Sequence, residues 1–172
     1  MKLEDYLPGI LDFPKPGIVF RDIAPLLANA DAFAYTVQSL GKLSTEYSFD
    51  YILGIESRGF IFASALATHL HKGFVMVRKP NKLPPDIHQE SYGLEYGSDT
   101  LEISKHILQP GALVLIVDDV LATGGTIAAA ARLVQKTGAQ VAAAVCVLEI
   151  AGLNGSQVLS QVGIANRCVI AL

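Results

Sequence analysis

Residues 112–150 read ALVLIVDDVLATGGTIAAAARLVQKTGAQVAAAVCVLEI, and three structural elements follow one another in this stretch. The aliphatic, β-branched run at 112–119 is typical of a buried strand. The alanine-rich run at 125–138 is typical of a helix, with Gly138 as its C-cap. The apolar run at 140–150 predicts a second strand. Strand, helix and strand in this order favour a parallel sheet that helices cover on both faces.

The same alternation extends towards both ends of the chain. A helix is predicted over 59–71, where Phe62, Leu66 and Leu70 have helical spacing, and another within 31–47, with Asp31 as its N-cap. Short apolar runs predict further strands at 51–55, 74–78 and 167–172. The sequence therefore predicts an α/β fold, formed by one domain over residues 1–172.

Composition and charge exclude several classes of protein. Of the 172 residues 51% are hydrophobic, and the net charge is −3. No apolar run reaches the roughly 18 residues that a membrane-spanning helix needs. Residues 1–13 carry acids and a proline where a signal peptide would be apolar, so we expect a cytoplasmic protein without a membrane partner. No basic stripe with interleaved aromatic residues is present, which argues against nucleic acid.

Two proline-containing segments, 13–27 and 78–103, do not follow the alternation. Long irregular segments in a compact domain usually form lids or binding loops. Open α/β sheets bind their ligands beyond the carboxyl ends of the strands. We therefore predict that 78–103 is an irregular loop near a ligand site, and that the residues following each strand form that site.

Asp118 and Asp119 end the predicted strand at 112–119, and a small loop, ATGGT at 122–126, opens the next helix. Two adjacent carboxylates repel each other unless a cation or hydroxyl donors lie nearby. They could accept hydrogen bonds from the two hydroxyls of a ribose, or help to hold Mg²⁺ through water. The glycine-rich loop could wrap a phosphate with its N–H groups. Because neither common nucleotide phosphate loop occurs, a phosphorylated sugar is the better hypothesis.

Basic residues follow the strands at 51–55 and 74–78. Arg58 lies at a predicted helix start, where an anion would be favoured. The alternative is a purely structural arrangement, in which Ser57 caps the helix and Glu56 pairs with Arg58. Arg78, Lys79 and Lys82 could form a solvated loop, but their place on the same sheet edge as Arg58 favours anion binding.

The stretch VLIVDDVLATGGT, at 114–126, resembles the phosphoribosyl-pyrophosphate signature of the type I phosphoribosyltransferase family. The segments FPKPGIVFRDIAPLL, GIESRGFIFASALA, VRKPNKLP and ESYGLEYGSDTLEI resemble matching segments of its adenine-specific members. The resemblance runs from about Leu3 to the C-terminus. It implies the type I phosphoribosyltransferase fold: a central, mostly parallel sheet flanked by helices, an N-terminal segment, and a flexible hood loop over the active site.

The resemblance also implies a function in purine salvage. Members of this family convert adenine and phosphoribosyl pyrophosphate to AMP and pyrophosphate with Mg²⁺, and a homodimer partner can lend a cation to the site. In this sequence the 5′-phosphate would bind to Ala122, Thr123, Gly124, Gly125 and Thr126, and the ribose hydroxyls to Asp118 and Asp119. The residues that match the pyrophosphate site are Glu56, Ser57, Arg58, Arg78, Lys79 and Lys82, with a cis peptide between Glu56 and Ser57.

The base pocket and the hood are assigned by the same resemblance. Val19, Phe20 and Arg21 match the adenine pocket, where the Phe20 ring would stack on the base; the alternative for Phe20 is core packing. Segment 82–97 matches the hood and includes Glu95 and Tyr96. Glu95 would handle the proton at adenine N7, and Arg58 would assist catalysis.

The sequence departs from the family pattern in the basic loop and in the hood, where Ile87 and His88 stand in place of more familiar small or hydroxyl residues. Asn81 stands where glycine is usual, and asparagine tolerates the left-handed backbone that such a turn needs. Pro84 and Pro85 stand where a single proline followed by glycine is more usual, which should stiffen the lid.

Two other functions remain as alternatives. A 6-oxopurine phosphoribosyltransferase would place a lysine or another donor against the purine oxygen, and no such lysine accompanies the base segment. A regulatory protein of the same fold would add a DNA-binding domain or a basic RNA-binding face, for which this chain has neither the length nor the charge.

Overall fold

The computed structural model describes residues 1–93 and 98–172, and their elements alternate as the sequence predicts. The helices are α1 (Ala24–Ala28), α2 (Ala30–Ser44), α3 (Arg58–Leu70), α4 (Gly125–Lys136) and α5 (Gly155–Gln161). The strands are β1 (Gly9–Leu11), β2 (Val19–Arg21), β3 (Tyr51–Ile55), β4 (Gly73–Val77), β5 (Ile87–Gly93), β6 (Ser98–Ser104), β7 (Leu113–Leu121), β8 (Gln140–Glu149) and β9 (Asn166–Ala171).

The described residues form a central parallel sheet with strand order β4-β3-β7-β8-β9. Helices cross over between its strands, because parallel neighbours cannot be joined by a short turn. This confirms the predicted α/β fold with helices on both faces. In residues 1–93 and 98–172, no helix is long and apolar enough to cross a membrane.

Strand β7 shows why the predicted strands of the central sheet are continuous apolar runs. Successive strand side chains point to opposite faces. Val114 and Ile116 belong to the core beneath α4, whereas Leu115 and Val117 belong to the core beneath α2 and α3. Because cores cover both faces of β7 at Val114–Val117, all of these positions are apolar, which explains the continuous run that identified the strand.

The N-cap of α2 is Asn29, so the prediction of Asp31 for this role is wrong. Asn29 has extended backbone angles, and its side chain accepts a hydrogen bond of 2.9 Å from the N–H of Ala32. Asp31 lies in the first turn of the helix instead. A carboxylate there still complements the positive end of the helix dipole.

The prediction that 78–103 is an irregular loop is also wrong. Strands β5 and β6 lie in this segment and pair as an antiparallel hairpin, in the register Ile87–Ser104 to Gly93–Ser98. Tyr92, Leu101 and Ile103 are buried in the same core cluster as α4. Packing against a helix distant in the sequence stabilises the hairpin, so its charged residues do not prevent strand formation. The three prolines of the segment all precede β5.

Glu90 ties this hairpin to α4. Its carboxylate lies 2.6 Å from Lys136 Nζ and 2.5 Å from Arg132 Nε. Hydrogen bonds from Lys136 and then from Arg132 lower the pKa of Glu90. The structure therefore predicts that this carboxylate contributes stability only where it is ionised.

We expect Glu90→Gln to lower the free energy of unfolding by about 0.5–1 kcal/mol near neutral pH. Because folding lowers the pKa of Glu90, this contribution is fully present above the unfolded pKa of about 4.3 and is lost as the pH falls through the folded pKa. Urea denaturation at several pH values measures it. Glu46→Gln, which removes an exposed carboxylate 3.4 Å from Arg167, is the matched control and should have the smaller effect. A pH-independent difference would contradict the prediction.

Candidate functional site

Asp118 and Asp119 lie inside β7 and not at its end, which corrects the predicted strand boundary. The pairing of β7 with β3 ends at Gly54 and Val117, whereas β7 stays paired with β8 as far as Leu121. The two aspartates therefore lie where β7 has a neighbouring strand on one side only. The other side opens into a cavity above the end of β3.

Both aspartates are buried, with 8% of Asp118 and 6% of Asp119 exposed. Burial, and then the charge of Asp119, raise the pKa of Asp118 well above its usual value. Burial also raises the pKa of Asp119, although Arg58 opposes this effect. Arg58 Nε lies 2.6 Å from Asp119 Oδ2, so Arg58 is the cation that the adjacent carboxylates require.

One carboxylate oxygen of this pair has an unfilled hydrogen-bonding capacity. Asp118 Oδ1 accepts a hydrogen bond of 3.0 Å from the N–H of Asp119. Asp119 Oδ2 is buried and accepts no aligned hydrogen bond from the part of the chain that the structure describes, despite its ion pair with Arg58. Buried acceptors normally have partners, so this oxygen indicates a place for a ligand hydroxyl or for water on a cation.

The first turn of α3 packs directly on these carboxylates. A Cβ atom at Gly59 would lie 2.5 Å from Asp118 Oδ1 and 3.3 Å from the carbonyl oxygen of Val117. Glycine is therefore required for the close approach of the helix to β7. The same approach places Arg58, the first residue of α3, against Asp119.

The connection from β3 to α3 contains a cis peptide between Glu56 and Ser57, as the resemblance implies. Among the described residues Ser57 makes no side-chain capping bond, and Glu56 pairs with Arg78 at 3.1 Å and not with Arg58. The two contacts named in the structural alternative, a side-chain cap by Ser57 and a Glu56–Arg58 pair, are therefore wrong. Burial would raise the pKa of Glu56, but the N–H of Lys79 and the side chain of Arg78 lower it overall.

The loop at 122–126 passes from β7 into α4. Gly124 has a φ of 85° and serves as the N-cap residue of the helix. The first N–H groups of a helix have no intrahelical partner, so the loop and the first turn offer donors to an anion. Thr126 Oγ1 lies 3.3 Å from the hydroxyl of Tyr92, which ties the loop to the hairpin.

A cavity of about 380 Å³ brings together residues that are distant in the sequence. It is lined by predicted site residues from β2, from the ends of β3, β4 and β7, and from the first turn of α4. These residues are Phe20, Glu56, Ser57, Arg58, Lys79, Asp118, Asp119 and Thr126. Ile55, Tyr92 and Asp99 also line it and were not predicted. Other predicted site residues are not among the described residues that line the cavity: Val19, Arg21, Arg78, Lys82 and residues 122–125.

Phe20 reaches the cavity from the β1–β2 hairpin and is absent from the core clusters formed by the described residues. The guanidinium carbon of Arg58 lies 4.9 Å from the centroid of its ring, and Phe13 meets the ring edge-on at 5.1 Å. The carbonyl of Arg21 accepts a bond of 3.4 Å from Arg58 Nη1. An aromatic ring is thus held beside the cation at one end of the cavity.

The basic loop after β4 contributes one cation to the cavity. Lys79 pairs with Asp99, whereas Arg78 is bound to Glu56 and to the carbonyl of Lys82. Asn81 has a φ of 64°, so it adopts the left-handed conformation expected of a residue in a glycine position.

Tyr92 and Asp99 were missed because segment 78–103 was predicted to be an irregular loop and not a pair of strands. They lie directly opposite each other in the β5–β6 register. The alternation of Tyr92, Leu101 and Ile103 with polar residues was the available signal. The predicted hood residues Glu95 and Tyr96 lie outside the described residues.

Comparisons with known proteins agree with this geometry. Residues 24–159 match the family model of the phosphoribosyl transferase domain. The chain is 58% identical, over 99% of both chains, to an adenine phosphoribosyltransferase of Polynucleobacter asymbioticus. It superposes with a TM-score of 0.96 on the crystal structure of the enzyme of that name from Thermoanaerobacter pseudethanolicus, at 43% identity over 99% and 98% of the two chains.

A further solved structure carries ligands. It is adenine phosphoribosyltransferase from Saccharomyces cerevisiae, complexed with adenine and an imino-altritol bisphosphate. Its TM-score with this chain is 0.90, its identity is 38%, and the match covers 98% of this chain and 97% of the other.

Proposed function

We propose a function for this chain, which belongs to the adenine phosphoribosyltransferases of the phosphoribosyltransferase family. It transfers a phosphoribosyl group from phosphoribosyl pyrophosphate to adenine, and the products are AMP and pyrophosphate. The type I fold predicted from the sequence is confirmed by these relatives. The observation that carries the assignment is the buried Asp118–Asp119 pair, which shares one cavity with Arg58, Lys79, Phe20 and the first turn of α4.

The cavity has the charge distribution that this donor needs. Asp118 and Asp119 would accept hydrogen bonds from the ribose hydroxyls; Asp119 Oδ2, which is ion-paired with Arg58, accepts no aligned hydrogen bond within the described residues. The loop at 122–126 would wrap the 5′-phosphate. Arg58 and Lys79 would hold the pyrophosphate, with the Glu56–Ser57 peptide beside them. Displacement at the anomeric carbon leaves negative charge on pyrophosphate, which these cations stabilise.

The donor set also fits Mg²⁺. Hard cations prefer oxygen ligands and often retain water. Within residues 1–93 and 98–172, no group of three or more His, Cys, Asp or Glu side chains could hold a metal alone. We propose that Asp118 and Asp119 hold the ion through water, together with oxygens of the donor. When bound, it would neutralise negative charge on the leaving pyrophosphate.

Adenine would lie at the Phe20 end of the cavity. The Phe20 ring is held by Phe13 and Arg58, so it offers a fixed face for stacking on a purine. The backbone of Val19 and Arg21 would read the edge of the base. By the family resemblance of LEYG, at 94–97, Glu95 would handle the proton at N7, and Tyr96 belongs to the same hood segment.

Glu95→Gln is expected to lower kcat by about 10²- to 10⁴-fold, the usual contribution of general acid–base catalysis. The KM for adenine should change much less, because the amide keeps the size of the side chain. Steady-state kinetics with adenine measure both constants. If neither constant changes, the proton role belongs to another residue.

We further propose a cytoplasmic homodimer, in which a cation of the basic loop serves the partner's site. Lys82 is exposed and lies away from the cavity walls, so it is available to another subunit. The edge strand β4 exposes Met76, and α3 exposes Ile61, which an interface could cover. Sedimentation equilibrium tests the dimer, and a monomer that keeps full activity would contradict it.

A comparison of adenine, hypoxanthine, guanine and xanthine as acceptors tests the function directly. Formation of AMP from adenine, with at least about 100-fold lower kcat/KM for the 6-oxopurines, is expected from a site that reads the amino edge. Equal or better turnover of an oxopurine would show that this base, and not adenine, is the acceptor. Failure to form any nucleotide with Mg²⁺ present would favour a regulatory role.

A further inference from the structure

Lys79 does not face the cavity as a free cation in this structure. Its ammonium pairs with Asp99 Oδ2, and both side chains line the cavity. Burial alone would lower the pKa of Lys79, but Asp99 raises it. Asp99 is therefore already paired with Lys79, the cation that would bind pyrophosphate in the proposed function.

Asp99 is held in this position from several directions. The hydroxyl of Tyr92 donates to Asp99 Oδ2 at 3.2 Å, and the N–H of Thr100 donates to Oδ1 at 2.8 Å. Tyr92 is 8% exposed, and its own hydroxyl accepts from Thr126 Oγ1 at 3.3 Å. The carboxylate is thus held by a buried tyrosine on the neighbouring strand and by the backbone of Thr100.

A fixed carboxylate has a definite effect on a polyanion that binds to the same lysine. Pyrophosphate would have to share Lys79 with Asp99 while its own charge is repelled by the carboxylate. Asp99 therefore reduces the affinity of this end of the cavity. An enzyme that releases pyrophosphate gains from such a reduction, because tightly bound product would slow the next turnover.

We propose that Asp99 is a positioning residue that shares Lys79 with the diphosphate group and thereby sets the affinity for phosphoribosyl pyrophosphate and for released pyrophosphate. The inference rests on the proposed function.

The test compares wild type, Asp99→Asn, Asp99→Glu, Tyr92→Phe and Asp86→Asn. Titration calorimetry with pyrophosphate and, separately, with ribose 5-phosphate probes the two ends of the cavity. We expect Asp99→Asn to bind pyrophosphate about threefold to tenfold more tightly, because one opposing charge is removed nearby. Binding of ribose 5-phosphate should change by less than about twofold, since a neutral side chain of the same size remains. Asp99→Glu should restore the wild-type affinity for pyrophosphate.

Two of these variants control for other effects. Asp86→Asn removes the same charge from the exposed start of the hairpin, where Asp86 pairs with Lys105 and His106, and should leave pyrophosphate affinity unchanged. Tyr92→Phe removes one of the contacts that hold Asp99 without removing its charge, and its affinity for pyrophosphate should fall between those of wild type and Asp99→Asn. Steady-state kinetics should show a lower KM for phosphoribosyl pyrophosphate and stronger product inhibition in Asp99→Asn.

The outcomes separate this inference from the proposed function. If wild type forms AMP but Asp99→Asn binds pyrophosphate with unchanged or weaker affinity, the role of Asp99 is wrong and the function stands. Equal tightening by Asp86→Asn would likewise overturn it, since net charge alone would explain the effect. If wild type forms no AMP, the proposed function itself fails.

Discussion

Replacing Asp118 and Asp119 together by asparagine is expected to abolish most of the activity while the fold is retained. Each carboxylate would accept a hydrogen bond from a ribose hydroxyl, and a hydrogen bond to a charged group contributes about 1.5–3 kcal/mol. The loss of two such bonds corresponds to a fall in kcat/KM for phosphoribosyl pyrophosphate of about 10²- to 10⁴-fold. Steady-state kinetics with Mg²⁺ and saturating adenine measure it.

The stability of the double variant should stay the same or rise. Folding raises the pKa of both carboxyl groups, so their ionised forms at neutral pH cost the native state free energy. Asparagine removes that cost, and Arg58, whose side chain is 35% exposed, can be solvated again. The double variant Asp5→Asn with Asp31→Asn removes two exposed carboxylates and is the control for net charge. An unchanged KM and kcat in the Asp118 and Asp119 variant would contradict the ribose role.

The central sheet could be predicted from the sequence because its signal is local. In β3, β7 and β8, burial on both faces produces continuous apolar runs, and the length and β-branched residues of these runs are typical of strands. The hairpin of β5 and β6 gave no such signal. Its buried residues, Tyr92, Leu101 and Ile103, alternate with polar ones, and contact with α4 stabilises the strands.

In the site, too, some features could be predicted from the sequence and others could not. Asp118, Asp119, Arg58 and Lys79 could be predicted because the carboxyl ends of parallel strands meet at one edge of the sheet. Their partners could not. The structural alternative for this turn paired Glu56 with Arg58, two positions away, whereas Glu56 binds Arg78 and Arg58 faces Asp119. Which of several nearby charges pair depends on strand register and helix placement, and these are tertiary features.

Gly155 shows a further constraint that no local pattern contains. It begins α5, and a Cβ atom there would overlap the carbonyl oxygen of Ala122 and would lie 2.8 Å from Leu121 Cδ1. On the facing loop, a Cβ atom at Gly124 would lie 3.1 Å from the carbonyl oxygen of Gly155. The backbones of α5 and of the loop at 122–126 are therefore in direct contact. The helix sets the position of the loop that would bind the 5′-phosphate.

We expect Gly155→Ala to lower kcat/KM for phosphoribosyl pyrophosphate by about 100-fold, because a displacement of about 1 Å in a binding loop has an effect of that order. Overpacking at this contact should also lower the free energy of unfolding by about 1–3 kcal/mol. Steady-state kinetics and urea denaturation measure the two effects separately. The kinetic loss should appear mainly in the KM for phosphoribosyl pyrophosphate, since the loop would bind the donor and not adenine.

Gly152→Ala is the matched control, because it makes the same change three positions away. A Cβ atom at Gly152 would meet no described atom within 4 Å, and the residue lies in the short 3₁₀ turn Ala151–Leu153. This variant should keep the KM and the stability of wild type. If Gly155→Ala behaved like Gly152→Ala, the loop would not depend on α5 for its position. A loss of stability without a change in KM would show that the contact supports the fold alone, and the 5′-phosphate assignment would then rest only on the N-terminus of α4.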